Sequence, residues 1–269
     1  MTIYLREEFA EAWQGKDPFA MVEQLTGEVF RELDGRRTLR FSFAGNSYFL
    51  KLHRGVGWLE IFKNLMQLRL PVVSAKNEWR AIVALDDVGV ETMTAAAYGE
   101  RGCNPASRYS FIITDDLADT TSLEDFCLDW PTNPPAYIVK KRLIEKVAIM
   151  ARRMHQAGIN HRDYYICHFL LPNNVDLHAQ REFPLHIIDL HRAQLRASVP
   201  NRWLLKDLAA LYFSAMDIGL SQRDLLRFMY VYTGGDIKQW IAARPSVWRG
   251  LQRRADNLYG RKLRYGDEL

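Results

Sequence analysis

The chain changes along its length from strand-like alternation to helical periodicity, and this change constrains the fold more than any other feature. Between residues 28 and 53, three segments alternate apolar and polar side chains, and the turn pairs Asp34-Gly35 and Gly45-Asn46 separate them. From Tyr137 onward, most apolar residues recur at helical spacing. Strands followed by helices predict an α+β protein whose helical part begins near residue 116.

The same patterns predict the individual elements. An antiparallel meander is predicted at 29–33, 39–43 and 48–52, with a further buried strand at 111–114 and a hairpin pair at 169–171 and 185–188. The predicted helices are two short ones in the first 25 residues, then 59–66, 78–85, 123–130 and 137–158, and the whole region from 203 onward.

The charge of the chain is nearly balanced, with 36 Lys+Arg against 32 Asp+Glu, which excludes a protein whose whole surface binds nucleic acid. Residues 201–269 nevertheless contain 12 basic and seven acidic side chains, so the excess lies in the last quarter. The segment 244–264 alone carries seven basic residues against Asp256. We expect it to meet an anionic partner, namely the phosphates of a substrate, a membrane surface or a small acidic protein; the alternative is a solvated helical face.

The cysteine count and the apolar runs indicate the compartment. The chain has an odd number of cysteines, namely Cys103, Cys127 and Cys167, and their spacing is not that of a metal site. We therefore expect no disulfide partner and no structural zinc site. The N-terminal residues lack the apolar run of a signal peptide, and the run at 208–216 is shorter than the ~20 residues that span a bilayer. We therefore expect a cytoplasmic protein.

The segment His161-Arg162-Asp163 follows the long predicted helix and carries the most specific motif. It resembles the protein-kinase catalytic loop, in which a metal ligand follows His-Arg-Asp after four residues, although His168 replaces the usual Asn. Asp189 follows an apolar run, where kinases have a metal-binding Asp. In this resemblance Asp163 is the catalytic base and Asp189 binds Mg²⁺. His168 would ligate the metal weakly, act through a water molecule, or only hold Asp163.

Two upstream residues fit the same scheme. Lys51 closes the third meander strand and would hold the ATP phosphates, while Glu78 on the following helix would orient that lysine. Glu60 on the preceding helix is the alternative partner. The order of these motifs predicts a bilobal protein-kinase-like fold, with a small β-rich N-lobe at 1–115 that contains one key helix, and a larger helical C-lobe at 116–269.

Other predicted positions are less specific. The loop at Gly35 lacks the glycine-rich kinase pattern, so phosphate cover would come from fewer glycines. The segment from Ile113 to Leu117, with Asp115 and Leu117 as its named members, would be the hinge that pairs its backbone with adenine. Trp203 is predicted to be a core aromatic residue. Asp207 would either cap a helix or bind the backbone of the catalytic loop, and we favour the second role.

Beyond these general motifs, the chain resembles the bacterial lipopolysaccharide core heptose kinases. The resemblance lies in residues 51–58 (KLHRGVGW), 157–163 (AGINHRD), 167–171 (CHFLL), 188–193 (IDLHRA) and 206–211 (KDLAAL). It implies ATP- and Mg²⁺-dependent phosphorylation of a heptose hydroxyl on the core glycolipid of lipopolysaccharide, at the cytoplasmic face of the inner membrane.

Substrate contacts are expected from basic and aromatic residues near these motifs. Arg192 belongs to a short basic stretch at 191–202 that suits an anionic acceptor. The insertion at 54–77 contributes Arg54, Trp58 and Arg69, which either contact substrate or belong to a helix that only covers the sheet.

Three alternatives stay open at this point. The chain could be a kinase with another acceptor, namely a different core sugar, a small molecule or a protein. It could be a non-catalytic scaffold, although Lys51, Asp163 and Asp189 are all present. It could also be a metallohydrolase, in which a metal centre is formed by His161, Asp163, His168, Asp189 and His191.

Overall fold

The computed structural model describes residues 1–33, 35–55, 57–66 and 74–265. Asp34 of the first predicted turn and Arg69 of the predicted insertion lie outside these ranges. The chain divides into two compact units. The first comprises Met1–Val83, Met93–Ala118 and Leu190–Arg192, and the second comprises Ala84–Thr92, Asp119–Asp189 and Ala193–Leu269.

A six-stranded antiparallel sheet forms the first unit. Its strands are β1 (Thr2–Leu5), β2 (Glu28–Leu33), β3 (Arg36–Phe43), β4 (Asn46–His53), β5 (Ala95–Arg101) and β6 (Tyr109–Asp115). The order across the sheet is β1-β5-β6-β4-β3-β2. The predicted meander is confirmed as β2, β3 and β4, and the predicted fourth strand is confirmed as β6.

Two strands of this sheet escape the sequence prediction. The first residues, predicted as helix, form β1, which pairs Tyr4 with Tyr98 of β5. β5 begins Ala95-Ala96-Ala97, and its first five residues are all buried. Because β5 lies between β1 and β6 and is covered on both faces, it shows no alternation, and alanine has little preference for strands.

Two short N-terminal helices close one face of this sheet. They are α1 (Glu7–Ala12) and α2 (Pro18–Gln24), and the side chain of Asp17 caps α2 by accepting the Phe19 N–H. Phe9 of α1 stacks on Phe43 at 4.7 Å and is fully buried. Burying a side chain of this size contributes roughly 1.5–3 kcal/mol, so these helices belong to the core of the sheet rather than to its surface.

Two further helices precede β5 in the chain. They are α3 (Gly57–Met66) and α4 (Lys76–Asp86), close to the predicted bounds. Trp58, the largest side chain of α3, is 51% exposed, so it does not serve to cover the sheet. The ring of Trp79 in α4 stacks on Tyr98 of β5 at 4.5 Å, with 4° between their planes, which fixes α4 against the sheet.

The second unit is mainly helical, as predicted. Its helices are α5 (Leu123–Phe126), α6 (Tyr137–Gln156), α7 (Asn201–Ser214), α8 (Gln222–Thr233), α9 (Ile237–Ala243) and α10 (Pro245–Tyr265). α6 packs against α8, and α7 packs against α10. The helix predicted at 123–130 is too long, because the chain turns after Phe126 and runs into Pro131.

Five short strands complete the second unit. They are β7 (Thr120–Ser122), β8 (Ile159–Asn160), β9 (Phe169–Pro172), β10 (His186–Ile187) and β11 (Gln194–Leu195). β9 lies between β10 and β7, which confirms the predicted hairpin pair of β9 and β10, and β8 pairs with β11. None of the helices described is long and apolar enough to cross a membrane.

Candidate active site

The first unit joins two of the predicted site residues. The Lys51 side chain leaves β4 on the face opposite the buried Leu50 and Leu52, and its Nζ donates to a carboxylate oxygen of Glu78 at 2.6 Å. The Glu78 side chain is 2% exposed, whereas that of Lys51 is 29% exposed. The ion pair thus joins a buried carboxylate to a partly exposed ammonium group. The side chain of Glu60, the alternative partner, lies outside the described part of the structure.

The position of Glu78 follows from how α4 begins. The hydroxyl of Ser74 accepts the Lys76 N–H at 3.0 Å, which satisfies a backbone donor at the helix start, and it donates to Glu100 of β5. The Ala75 N–H donates to the Ser110 hydroxyl of β6 at 3.0 Å. Because both contacts tie the first turn of α4 to the sheet, Glu78 is held at a fixed distance from Lys51.

Gly35 allows two segments of the chain to lie close together. It has φ of +77°, and a Cβ atom there would lie 2.1 Å from the carbonyl oxygen of Gly55. Its own carbonyl oxygen accepts the Arg54 N–H at 2.7 Å. Only glycine fits this close approach of two chain segments. Contact with phosphates stays a prediction for this residue.

The predicted hinge is braced by an arginine that the sequence did not reveal. Arg6 binds both carboxylate oxygens of Asp115, at 2.6 and 2.8 Å, and this bidentate contact raises the pKa of the Arg6 guanidinium. The N–H of Asp115 donates to Thr94, and that of Asp116 donates to Ser47. The Asp115 side chain is therefore engaged within the protein, and any adenine contact would use other groups of this segment.

In the second unit, Asp207 holds the backbone of the catalytic-loop motif. Asp207 is fully buried in the middle of α7, and its two oxygens accept the backbone N–H groups of His161 at 2.7 Å and Arg162 at 2.8 Å. The alternative helix-cap role of Asp207 is wrong, because α7 begins six residues earlier, at Asn201. The Nε2 atom of His155 lies 3.4 Å from the same carboxylate.

His161 connects the loop to the segment that precedes Asp189. Its Nε2 donates to the backbone carbonyl of Ile188 at 2.9 Å, so its partner lies outside its own loop. The ring is fully buried, and burial lowers the pKa of His161, so the ring is neutral at physiological pH. This hydrogen bond places the catalytic-loop motif and Asp189 in one rigid unit.

His168 contacts both of the predicted reacting acids. Its Nδ1 lies 2.7 Å from the backbone carbonyl of Asp163, and a carbonyl only accepts, so Nδ1 carries the hydrogen. Its Nε2 lies 3.8 Å from a carboxylate oxygen of Asp189. His168 therefore holds the Asp163 backbone and turns its other ring nitrogen toward Asp189.

Backbone strain marks the same two motifs. Among the described residues, four that are not glycine have positive φ, and two of these are Arg162 (+79°) and Asp189 (+63°). Such conformations cost of order 1–3 kcal/mol each and persist where the surrounding structure over-determines them. The hydrogen bonds of Asp207 and His161 supply that constraint here.

The donor set at Asp189 fits Mg²⁺ only in the presence of other oxygens. No three His, Cys, Asp or Glu side chains in the described ranges converge as a metal site. Mg²⁺ is usually held by one or two carboxylates together with phosphate oxygens and water. Asp189 together with the phosphate oxygens of a bound nucleotide would match that requirement, whereas the Nε2 atom of His168 is a poorer ligand for it.

Two of the predicted substrate residues have side-chain partners of their own. Arg54 is engaged by Glu23 through two hydrogen bonds, at 2.8 and 2.5 Å. Trp58 contacts Phe62 at 5.9 Å between ring centroids. Arg192 ends a short 3₁₀ turn after Asp189. Their contact with substrate stays a prediction.

The cysteine in the catalytic loop is not activated. Burial is the main cause that raises the pKa of Cys167, to about 11, and the neighbouring carboxylate of Glu124 adds to it. A thiol with such a pKa is protonated at physiological pH and is a weak nucleophile. The acids of this site, rather than Cys167, are therefore the groups suited to chemistry.

Comparisons with known proteins identify the family of the chain. Residues 20–232 match the model of the Lipopolysaccharide kinase (Kdo/WaaP) family. The chain is 52% identical over 269 residues to the lipopolysaccharide core heptose(I) kinase WaaP of Pseudomonas aeruginosa, with 100% of both chains covered. It is 53% identical over 264 residues to the protein of that name from Escherichia coli K12, which covers 98% of this chain and 99% of the relative.

The fold is likewise matched by a solved structure. A structure of WaaP in complex with acyl carrier protein superposes with a TM-score of 0.83 at 47% sequence identity, covering 96% of this chain and 100% of that chain. The α+β, protein-kinase-like fold predicted from the sequence is thereby confirmed, as is the resemblance to the heptose kinases.

Proposed function

Since the chain belongs to the lipopolysaccharide kinase (Kdo/WaaP) family, we propose that it transfers the γ-phosphoryl group of ATP to a hydroxyl of the first heptose in the inner core of lipopolysaccharide. The chain is a kinase that acts on a sugar hydroxyl. The observation that carries the residue-level mechanism is the double anchoring of the Asp163 loop, by Asp207 from one side and by His168 from the other.

Asp163 is the catalytic base of this proposal. Its backbone carbonyl is held by His168, and the N–H groups of the two residues before it are held by Asp207. A carboxylate in a fixed position accepts the proton of the attacking hydroxyl without first paying to order its loop. General-base assistance of this kind contributes roughly 10²–10⁴ in rate.

Lys51 binds the α- and β-phosphates, and Glu78 keeps its ammonium group in position. The buried carboxylate of Glu78 favours a charged lysine, and the 29% exposure of the Lys51 side chain leaves it accessible to a ligand. Gly35 has no side chain, so its backbone can approach the phosphates closely.

Asp189 holds Mg²⁺ together with the nucleotide phosphates. When bound, the ion neutralises charge on the transferring phosphoryl group. The positive φ of Asp189 and the hydrogen bond from His161 to Ile188 constrain the backbone that carries this carboxylate.

The proposal is tested with γ-³²P-labelled ATP and lipopolysaccharide that lacks its heptose phosphate. We expect label in the core oligosaccharide only when both Mg²⁺ and the chain are present. Acceptor with and without acyl chains is assayed in parallel, so that any requirement for the lipid is measured. If neither acceptor is labelled, the proposed substrate is wrong. A nucleotide-dependent thermal shift without transfer would favour a kinase with another acceptor, and no shift would favour the scaffold.

A second proposal concerns a partner, namely an acyl carrier protein. α10 carries exposed Arg249, Arg253 and Arg254. The same helix contributes Trp248 and Leu251 to a cavity of about 190 Å³ in the second unit, lined almost entirely by apolar side chains from α6, α7, α8 and α10. A basic surface beside an apolar cavity suits a small acidic protein that presents an acyl chain. The solved WaaP structure that resembles this chain contains such a protein.

Charge reversal on α10 tests this partner. We expect Arg249→Glu with Arg253→Glu to weaken binding of purified acylated acyl carrier protein at least tenfold. Arg223→Glu, an exposed arginine on α8, is the matched control. Unchanged binding by the α10 variant would refute the assignment, and loss of binding to anionic vesicles alone would assign this face to the membrane instead.

A further inference from the structure

Four cationic side chains surround one indole ring in the second unit. The side-chain cations of Arg162, Arg202, Lys206 and Arg196 lie 5.1, 5.3, 5.6 and 5.8 Å from the centroid of the Trp203 ring. Trp203 is therefore not the buried core aromatic that the sequence predicts, since it is only half-buried and faces charge. We call these five residues the Trp203 cluster.

Three separate elements bring this cluster together. Arg162 belongs to the catalytic loop, and its N–H is bound by Asp207 of α7. Arg196 follows β11, whose pairing with β8 places it directly beside the residues before that loop. Arg202, Trp203 and Lys206 lie on the first turns of α7, where positions four residues apart share a face. The arrangement is thus built into the fold and does not rest on one loop.

The charges of two members are not balanced by carboxylates in the described part of the chain. Arg196 donates to the neutral amide oxygens of Asn160 and Gln194, each at 2.6 Å. Arg202 is exposed and makes no hydrogen bond or ion pair with any described residue. Like charges held this close repel one another, and the attraction of each cation to the indole face offsets only part of that cost. An anion would offset the rest.

We propose that the Trp203 cluster binds an anionic group, a phosphate or a carboxylate, of the acceptor glycolipid. Arginine is suited to bidentate contact with both groups. The acceptor is favoured over the nucleotide because Arg162 immediately precedes Asp163, whose proposed partner is the acceptor hydroxyl, whereas the nucleotide phosphates are assigned to Lys51 and Asp189. This inference rests on the proposed kinase function and adds a determinant of acceptor recognition to it.

Steady-state kinetics with Arg202→Gln and Lys206→Gln test the cluster. We expect each variant to raise the KM for lipopolysaccharide about tenfold or more, with the KM for ATP unchanged. Arg223→Gln removes a similarly exposed helical arginine outside the cluster and should leave both constants unchanged. Arg202→Lys keeps the charge and should restore most of the acceptor affinity, which a merely structural role would not require.

A second acceptor, treated to remove its lipid phosphates, identifies the anionic group. If the effect of Arg202→Gln disappears with this acceptor, the cluster binds a phosphate; if it persists, the cluster binds a core carboxylate. An unchanged acceptor KM in both variants would overturn the inference, as would an equal rise in the KM for ATP. Absence of turnover by the unmodified chain would instead overturn the proposed function, so the two failures are distinguishable.

Discussion

The carboxylate of Asp207 accepts the backbone N–H of His161 at 2.7 Å inside a fully buried environment, and its other oxygen accepts the next N–H along the chain. Replacing Asp207 by Ala removes the acceptor of one buried and one partly buried N–H donor, and an unsatisfied buried donor costs ~1–3 kcal/mol. We expect the free energy of unfolding to fall by roughly 2–5 kcal/mol in urea titrations.

The same change should reduce activity beyond its effect on stability. At a temperature where Asp207→Ala is still folded, we expect kcat to fall at least tenfold, because the Asp163 loop loses its anchor. Asp176→Ala, which removes a carboxylate that binds only a surface turn at His178 and Ala179, is the matched control. An Asp207 variant with normal kcat would show that this anchor does not position the base.

The ion pair of Lys51 and Glu78 gives a second prediction. Lys51→Met leaves the carboxylate of Glu78, which is 2% exposed, without that cation. Breaking such a pair costs up to ~3–5 kcal/mol when both partners are buried, and less here because Lys51 is partly exposed. We expect a lower melting temperature and a large rise in the KM for ATP.

A double variant separates these two effects. Lys51→Met combined with Glu78→Gln removes both charges, so stability should largely recover, while ATP binding measured by calorimetry should stay weak. Recovery of ATP binding in the double variant would argue against a phosphate-binding role for Lys51.

The buried His53 predicts how stability depends on pH. Burial, together with the nearby charges of Arg36 and Lys51, lowers the pKa of His53 to about 3. In the unfolded chain a histidine binds its proton near pH 6.5, so below this pH the unfolded state takes up one proton more. Stability is therefore fully present above about pH 6.5 and is lost as the pH falls toward 3, by ~1.4 kcal/mol per pH unit for this one group.

The contribution of His53 is measured by urea unfolding at several pH values. His53→Asn should reduce the slope of unfolding free energy against pH by ~1.4 kcal/mol per unit between about pH 6 and 4. The exposed His178→Asn should leave the slope unchanged. Equal slopes for the original chain and His53→Asn would contradict burial of a neutral imidazole at this position.

Gly158, at the end of α6, gives a prediction about backbone geometry. It has φ of +77°, and a Cβ atom there would lie 1.8 Å from the carbonyl oxygen of Arg196. Gly45 has a similar φ of +82° but nothing within 4 Å of the added atom. Gly45→Ala should therefore cost ~1–2 kcal/mol from conformation alone.

Gly158→Ala should cost clearly more than Gly45→Ala, and the excess measures the displacement of the chain at Arg196. We also expect its kcat to fall, because β8 leads directly into His161. Equal destabilisation of the two variants in thermal unfolding would show that the chain at Arg196 moves aside without cost.

The sequence predicts those elements whose pattern is local. The meander, α4 and α6 each have a face of regular period, and the structure has them within a few residues of the predicted bounds. β1 and β5 are missed because their strand character depends on pairing with each other and with β6. Residues 95–97 are alanines, whose burial on both faces removes the alternation on which strand prediction relies.

The site likewise contains residues that the sequence predicts and contacts that it does not. Motif order alone points to Lys51, Asp163 and Asp189, because each follows a recognisable element. The ion pair of Arg6 with Asp115 joins residues 109 positions apart, and no local signal indicates it. The cations around Trp203 become neighbours only when β8 pairs with β11. The sequence therefore indicates a basic stretch but does not indicate that its side chains surround Trp203.

The central claim, that Asp163 accepts the proton of a glycolipid hydroxyl, is tested most directly by comparing Asp163→Asn with the original chain. Label transfer from γ-³²P-ATP to lipopolysaccharide and the Kd for Mg-ATP are measured on the same preparations. We expect transfer to fall by ~10²-fold or more, with the nucleotide Kd within about twofold of its original value. Transfer at the original rate by Asp163→Asn would contradict the mechanism.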